Sequence, residues 1–453
     1  MELPKEFMER MQMLLGQEYD DFRQAMEGTR AYGLRINPLK NAQELLEAQF
    51  GLRPVPWAAG GFYYDPDTKP GRHPYYEAGL YYIQEPSAMA VGALAAPEPN
   101  MRVLDLCAAP GGKTTHLAGY LKGQGVLIAN EIHAGRAKIL AQSVERAGIL
   151  NCIVTNETPA RLAERFPAYF DCIVVDAPCS GEGMFRKEEI AVTEWTPDAP
   201  RKCAERQAEI LDTAVSMLKP DGKLVYSTCT FAPEENEGSV QRFLERHSDF
   251  SLVEVPEQRY FSQGHPEWIE KNGSPELAKT CRLFPHQLSG EGHFAAVFHK
   301  LCDETKPAAE PPLAKCLREN EIPQAYHTFE RETLTRHFPH LIRGGDTLWA
   351  LPEVMPDVSG LRVLRQGLQL GIVKKGRFEP SHALALALYA DSVQRVCSLT
   401  AEQTIPYLCG QTIPCDGENG WTLVLTDGFS VGWGKVSDGV LKNHYPKGLR
   451  WHG

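Results

Sequence analysis

Residues Val103-Leu-Asp-Leu-Cys-Ala-Ala-Pro-Gly-Gly-Lys-Thr-Thr115 read as a short buried strand, a Gly-rich turn and the start of a helix. In that order the free N–H groups of the first helical turn point back over the Gly-rich turn. This arrangement binds a nucleotide-like ligand at the carboxyl edge of a parallel sheet. Glu131 stands twenty residues after Gly111, at the end of a second apolar run, Val126-Leu-Ile-Ala-Asn130. A carboxylate there can accept both hydroxyl hydrogens of a ribose. The turn is not G-x-G-x-x-G, and no G-K-[ST] stands at P-loop spacing. A Gly-rich turn alone also fits a plain strand–helix connection; the acid in register favours the ligand.

Outward from this stretch, residues 102–300 alternate strand and helix. Cys152-Ile-Val-Thr155, Cys172-Ile-Val-Val175 and Lys223-Leu-Val-Tyr226 are further strands, spaced by helices near 134–147 and 203–218, and Phe294-Ala-Ala-Val-Phe298 is a late one. Strands spaced by helices of this length imply an α/β fold with a parallel sheet covered on both faces. Before residue 101, helical spacing of Phe7, Met8, Met11, Leu14 and Leu15 gives way to the Pro-punctuated Leu34-Arg-Ile-Asn-Pro-Leu-Lys40, predicting a helix or two and then a small sheet. Cys302-Asp-Glu-Thr-Lys-Pro-Ala-Ala-Glu-Pro-Pro312 reads as a linker. Residues 313–360 take no assignment. Residues 361–453, with short strands, Gly turns and one Ala/Leu helix at 381–390, read as a compact mostly-β module. The expected units are therefore 1–100, 101–300, 301–360 and 361–453.

A chain of 453 residues is about three times the roughly 150 of one domain. Hydrophobic residues at 43% and charged residues at 23% are the balance of a globular protein rather than a disordered one. No uncharged apolar run approaches the roughly 18 residues of a membrane span, and the start lacks a secretory profile. The 12 cysteines form no C-x-x-C pair or zinc-spaced cluster. We expect a cytoplasmic chain with no disulfide framework, no metal and no membrane contact. The net charge of −11 argues against wholesale coating of nucleic acid but leaves room for a local basic site. Residues 361–453 hold 10 Lys and Arg against 7 Asp and Glu, so the tail is the more basic end.

Two further motifs reach the same sheet edge. Phe170-Asp-Cys-Ile-Val-Val-Asp-Ala-Pro-Cys-Ser-Gly-Glu-Gly183 delivers Asp176 and Cys179 from a buried strand into an irregular Pro/Gly loop, where backbone can approach a planar substrate. Leu224-Val-Tyr-Ser-Thr-Cys-Thr-Phe231, followed by Pro233-Glu-Glu-Asn-Glu237, puts Cys229 there too. Free cysteines are usually inert core residues. Cys152, Cys172 and Cys203 fit that description. Two cysteines in polar turns beside an aspartate and a ligand site do not.

Together these residues resemble the Nol/Nop/Sun family of S-adenosylmethionine-dependent RNA cytosine-5 methyltransferases. The Cys-Ala-Ala-Pro-Gly-Gly-Lys loop is similar to that family's cofactor loop, and Asp-Ala-Pro-Cys-Ser-Gly and Ser-Thr-Cys-Thr to its two cysteine motifs. Leu34-Arg-Ile-Asn-Pro38, Gln84-Glu-Pro-Ser-Ala-Met89, Arg282-Leu-Phe-Pro-His286 and Gly290-Glu-Gly-His-Phe294 extend the match over 30–300. Within the family, the motif through Arg186 and the end of the chain look most like bacterial RsmF-type enzymes of small-subunit rRNA. There Gly432-Trp-Gly-Lys435 and Lys442-Asn-His-Tyr-Pro-Lys-Gly-Leu-Arg450 resemble the signature of a PUA-like domain.

The resemblance implies a Rossmann-like methyltransferase domain, a small α+β N-terminal domain that meets RNA, and a mostly-β PUA-like tail. It implies S-adenosylmethionine as cofactor, 16S rRNA or the small subunit as partner, and a monomer. The cofactor would be held by Cys107, Ala108, Ala109, Pro110, Gly111, Gly112, Lys113, Glu131, Arg136, Asn156, Thr158 and Asp176. The family often places an aspartate after the third strand for the adenine amino group. Here the run is Thr155-Asn-Glu-Thr158, which leaves that contact open between Asn156, Glu157 and Thr158.

Carbon 5 of cytosine is a poor nucleophile until a thiolate adds at carbon 6. By resemblance Cys229 is that nucleophile, Cys179 assists release, and Asp176 holds or protonates ring nitrogen 3. Lys113 and Arg186 are polar partners or structural residues. A flipped base must reach the pocket. RNA contact is expected from Lys374, Lys375, Arg377, Lys442, Lys447 and Arg450, with Trp433, Tyr445 and Trp451 as stacking candidates and core packing the simpler role for Trp433. The tail is expected to dock RNA without being needed by the core. Other readings are the same chemistry on tRNA, a silent RNA-binding assembly factor, and a DNA enzyme with Cys179 as nucleophile.

Overall fold

The computed structural model describes residues 3–269, 273–302, 310–352 and 354–452. Two N-terminal helices, Lys5–Leu15 and Tyr19–Glu27, each present apolar residues four apart, Phe7 with Met11 and Phe22 with Met26. That spacing makes one stripe per helix, and the stripes bury against Phe185, Trp195, Phe231 and Phe284 of the next domain. A small antiparallel sheet follows, built from β1 (Gly33–Ile36), β2 (Arg53–Pro54), β3 (Gly61–Tyr63) and β4 (Tyr81–Ile83) in the order β2-β3-β1-β4.

The central domain contributes β5 (Arg102–Asp105), β6 (Val126–Asn130), β7 (Cys152–Thr155), β8 (Phe170–Asp176) and β9 (Leu218–Thr228), all parallel. These strands are nearly continuous buried runs, as a sheet covered on both faces requires. Short strands β10 (Phe250–Leu252), β11 (Ser262–Gln263) and β12 (Cys281–Leu283) and the longer β13 (His293–Lys300) close one side antiparallel. The order is β11-β12-β13-β9-β8-β5-β6-β7, with β10 beside β13. The fold is the Rossmann-like α/β class expected from the sequence.

Beyond residue 310 the structure differs from the expected division. β14 (Leu341–Gly344) and β15 (Thr347–Ala350) form a hairpin in the segment that had no assignment. β16 (Val363–Gln366) leaves the tail and pairs antiparallel with β7, adding an edge to the catalytic sheet. β17 (Leu368–Lys374) and β18 (Arg377–Pro380) then return to the first hairpin, in the order β14-β15-β17-β18. A two-stranded hairpin buries too little to stand alone, so residues on both sides of 361 share one sheet. The second tail sheet holds β19 (Val396–Leu399), β20 (Ile413–Pro414), β21 (Gly420–Thr426), β22 (Phe429–Ser437) and β23 (Val440–Asn443), in the order β19-β21-β22-β23-β20. The tail is thus two sheets, not one module. Residues 303–309 of the expected linker lie outside the described residues.

The tail is also not a free appendage. Leu34, Leu46, Phe62 and Tyr81 of the N-terminal domain share one buried cluster with Tyr407, Val424, Val431 and Leu441. Tyr445 and Trp451, offered above as base-stacking residues, donate to Glu77 Oε2 (3.1 Å) and Oε1 (3.2 Å). Tyr445 and Trp433 are both buried, and Trp433 Nε1 donates to Ser381 O at 3.0 Å. Both are core residues because their rings fill the seams between modules. The buried Lys40 ammonium donates to Leu386 O, a further tie across the same seam.

Candidate active site

β5 lies between β6 and β8, so the chain runs outward from β5 in one direction and then returns to build the other. Ligands of open α/β sheets bind at such a reversal, outside the carboxyl ends of the strands. The turns after β5, β6, β8 and β9 all open there.

The turn after β5 is held by its backbone. Ala108 N donates to Asn130 O (2.8 Å), Arg136 donates to Ala109 O (2.8 Å) and Ser143 Oγ to Pro110 O (2.7 Å). Gly111 sits at φ +114°, and a Cβ there would come within 2.8 Å of Ser143 Cβ, so glycine is required. From the N-terminal domain, buried Arg35 donates to Gly112 O (3.2 Å), Thr115 Oγ1 (2.6 Å) and Gln84 Oε1 (3.2 Å). The Leu34–Pro38 and Gln84–Met89 motifs therefore brace the first turn of the helix Gly112–Leu121.

Glu131 is buried at the end of β6, with one oxygen accepting from His133 N (2.9 Å) and the other 3.5 Å from Arg136. Arg136 thus joins the acid to the Gly-rich turn. The three candidates for the adenine contact each have an internal partner. Asn156 Nδ2 donates to Glu131 O and Ile132 O (2.7 and 2.8 Å), Glu157 Oε1 accepts from Arg362 N (2.7 Å), and Thr158 Oγ1 caps the helix Pro159–Arg165. Asp105 closes β5 wholly buried. Thr114 Oγ1 donates to its Oδ2 at 2.6 Å, while its Oδ1 has no hydrogen-bond partner among the described residues. Burial pushes its carboxyl up to about 7. A buried acid with one oxygen free is a fitting partner for a cationic group of a bound cofactor.

The turns after β8 and β9 bring Cys179 Sγ and Cys229 Sγ to 3.3 Å of each other. Gly183 N donates to Cys229 O (2.8 Å), and a Cβ on Gly183 would lie 2.9 Å from that oxygen, so the approach depends on glycine. The contact with Cys229, then burial, pushes the Cys179 thiol well up. Asp176 Oδ2 meets Lys113 Nζ at 2.6 Å, and its Oδ1 accepts from Ser227 Oγ at 2.7 Å with His293 Nε2 3.5 Å away. Burial alone would raise Asp176. Lys113, and then His293, outweigh it and hold the carboxyl well below the usual range. Burial would likewise lower Lys113; the charge of Asp176, with a further contribution from Cys229, raises it instead. The structure therefore brings Lys113, Asp176, Cys179 and Cys229 into one cluster.

Arg186 lies outside that cluster, donating to Glu291 Oε2 (2.7 Å), Ala25 O (2.6 Å) and Gly290 O (2.7 Å). Lys374, Lys375, Arg377, Lys442 and Lys447 are exposed, and Arg450 is half-buried. A cleft of about 1970 Å³ opens between the N-terminal and catalytic domains, lined among others by Arg30, Tyr32, Arg53, Tyr63, Tyr64 and Pro285. Among the described residues no group of three His, Cys, Asp or Glu is placed to hold a metal, and no helix is long and apolar enough to cross a membrane.

The sequence reading missed Arg35, Asp105, Ser227 and His293 as site residues. Asp105 had a signal, an acid closing a buried strand one residue before the turn. His293 had little, because β13 meets the site only through sheet order.

The defining pattern of "16S rRNA methyltransferase RsmB/F" matches residues 92–299, and that of the N-terminal domain of 16S rRNA methyltransferase RsmF matches 3–86. The RsmF first C-terminal domain matches 328–388 and the methyltransferase RsmF PUA domain 394–451, which coincide with the two tail sheets. Ribosomal RNA small subunit methyltransferase F of Aliivibrio fischeri (strain MJ11) is 32% identical over 99% of this chain and 97% of its own. The protein of the same name from Vibrio cholerae serotype O1 (strain M66-2) is 31% identical over the same shares. Among solved structures, a methyltransferase homolog protein from Pyrococcus horikoshii superposes with TM-score 0.59 at 32% identity, covering 66% of this chain and 95% of that one. NSun6 from the same organism shares the fold at TM-score 0.56 and 22% identity, covering 66% and 99%. Matched from end to end by these relatives, the chain belongs to the RsmF family of 16S rRNA methyltransferases.

Proposed function

We propose that this protein transfers a methyl group from S-adenosylmethionine to carbon 5 of cytosine in 16S rRNA, working as a cytoplasmic monomer that needs no metal. The observation that carries the chemistry is the pair of sulfurs 3.3 Å apart beside a Lys113–Asp176 ion pair at the sheet's reversal point.

The turn from Cys107 to Lys113, Glu131 and Arg136 would hold the cofactor, with Asn156 and Thr158 edging its adenine side and Asp105 meeting its cationic part. When bound, S-adenosylmethionine supplies an electrophilic methyl group. The chain's own residues do the rest. Cys229 adds as thiolate to carbon 6, which makes carbon 5 nucleophilic. Asp176, held ionised, accepts hydrogen bonds and matches the amino group on the cytosine edge. It has no proton to give, so Lys113 is the donor at hand for ring nitrogen 3. After methylation the carbon 5 proton passes to solvent, its electron pair re-forms the carbon 5–carbon 6 double bond, Cys229 leaves carbon 6 as thiolate, and ring nitrogen 3 returns its proton to Lys113. Cys179, touching Cys229, assists that release.

The wide cleft supports an RNA path. Arg30 lies over Tyr32 and Arg53 over Tyr63 at 5.8 Å each, offering cations and ring faces to an unpaired strand that flanks the flipped base. Mapping 5-methylcytosine in total RNA with and without the gene tests the reading. Loss of a 16S rRNA site is the expected result. An unchanged 16S rRNA pattern with a lost tRNA site would overturn the choice of substrate.

A further inference from the structure

The mechanism above leaves one sequence motif unused, Pro233-Glu-Glu-Asn-Glu237. We propose that Glu235 is a positioning residue for the cysteine pair, a buried carboxyl that fixes the turn bearing Cys179 against the turn bearing Cys229. This rests on the reading that Cys229 attacks and Cys179 assists release.

Glu235 is fully buried. Its Oε2 accepts from Ser180 N at 3.1 Å and from Gln207 Nε2 at 2.7 Å, and its Oε1 bonds with Ser180 Oγ. Gln207 Nε2 also donates to Pro178 O at 3.1 Å. The residues before and after Cys179 are therefore both tied to one acid–amide pair. Ser180 Oγ lies 2.8 Å from Thr230 Oγ1, the residue after Cys229. Tyr226, on the strand leading to Cys229, places its hydroxyl 2.6 Å from Glu235 O and 2.8 Å from Gln207 Oε1. The Glu235 carboxyl bonds with Ser180 and Gln207 and with neither sulfur among the described residues, so it acts through the turns. Burial pushes its carboxyl up to about 8, while Ser180 Oγ donates to Oε1 and the two N–H donors serve Oε2. Gln keeps the shape and an acceptor oxygen for those donors. Ala removes both.

The test compares Glu235→Ala, Glu235→Gln, Ser180→Ala and Cys179→Ala with the parent protein, using RNA substrate and S-adenosylmethionine at neutral pH. Misplacing a reacting group by about 1 Å costs about a hundredfold, so Glu235→Ala should lose roughly that in kcat. KM for the cofactor should stay unchanged, and a protein–RNA adduct should accumulate on denaturing gels, as it also should for Cys179→Ala. Glu235→Gln should restore turnover and clear the adduct. Ser180→Ala cuts the same tie from the half-exposed side and should show a smaller shift in the same direction, even if Glu235→Ala folds poorly. Adduct in Cys179→Ala with parent-like turnover and no adduct in Ser180→Ala and a folded Glu235→Ala would overturn the proposal alone. No adduct in Cys179→Ala itself would overturn the assignment of release, and this proposal with it.

Discussion

The two halves of the sheet edge are secured by different means. Around the Gly-rich turn, Arg35, Arg136 and Ser143 all bond backbone carbonyls, so that half is specified as a shape. Around the cysteines, buried carboxyl groups do the holding. Glu235 ties Ser180, and Glu182 accepts from Arg10 (2.6 Å), Trp195 Nε1 (3.1 Å) and Phe231 N (3.2 Å). A shape distributes its cost over many contacts, so single changes weaken it by degrees. A reactive pair concentrates its function in two atoms, so single changes abolish it.

The largest expected effect falls on the cysteine half. Cys229→Ala should reduce methyl transfer by more than about a thousandfold, as losing a nucleophile does, while calorimetry finds cofactor affinity unchanged. Turnover surviving in Cys229→Ala but lost in Cys179→Ala would reverse the two roles and favour the mechanism of a DNA-type enzyme.

The next effect concerns what both halves stand on. A chain ending at residue 300 would lose β16 from the sheet and bare the cluster that joins Leu34, Phe62 and Tyr81 to the tail. Each large apolar side chain returned to water costs about 1.5–3 kcal/mol, so thermal unfolding should shift down by about 10 °C or more at about 2–4 °C per kcal/mol. A truncated protein with unchanged Tm would mean that the seam contributes nothing and that the tail is the dispensable RNA module its composition suggested.

On the cofactor half, Glu131→Ala should weaken S-adenosylmethionine binding by about 1–3 kcal/mol, without altering the ratio of adduct to product. Unchanged affinity in calorimetry would move the ribose contact elsewhere. The smallest effect is a gain. Asp105 has its carboxyl raised to about 7 from 3.8, so the stability linked to its proton is complete below about 3.8 and lost as pH rises through about 7. Asp105→Asn should therefore raise Tm by a few degrees at pH 8 and little at pH 5, while cofactor affinity falls. Equal Tm at both pH values would show that Asp105 carries no such cost.

The same contrast explains what could be read before the structure. The Gly-rich turn, Glu131 and the two cysteine turns sit on consecutive strand ends, so strand order alone gathers them. Arg35 and His293 reach the site from β1 and β13, through a domain interface and an antiparallel edge that local patterns do not encode. The tail misled for a related reason. Its Gly turns and positive balance describe a β module correctly, but β16 joining β7, and Tyr445 sealing against Glu77, are long-range pairings invisible in spacing. Thr158 shows how one residue can carry two readings: a Thr before Pro159 caps a helix, as it does here, while standing at the strand end where the cofactor's adenine side is proposed.

The proposed chemistry divides its labour between two touching sulfurs. Its most direct test is to incubate Cys179→Ala with RNA and S-adenosylmethionine, isolate the denaturation-resistant adduct, and locate the cross-linked peptide by mass spectrometry. The expected product is a methylated cytosine attached to Cys229, with no adduct in the Cys179/Cys229 double variant. Attachment at another residue, or no adduct in Cys179→Ala under conditions where the parent protein methylates, would contradict it.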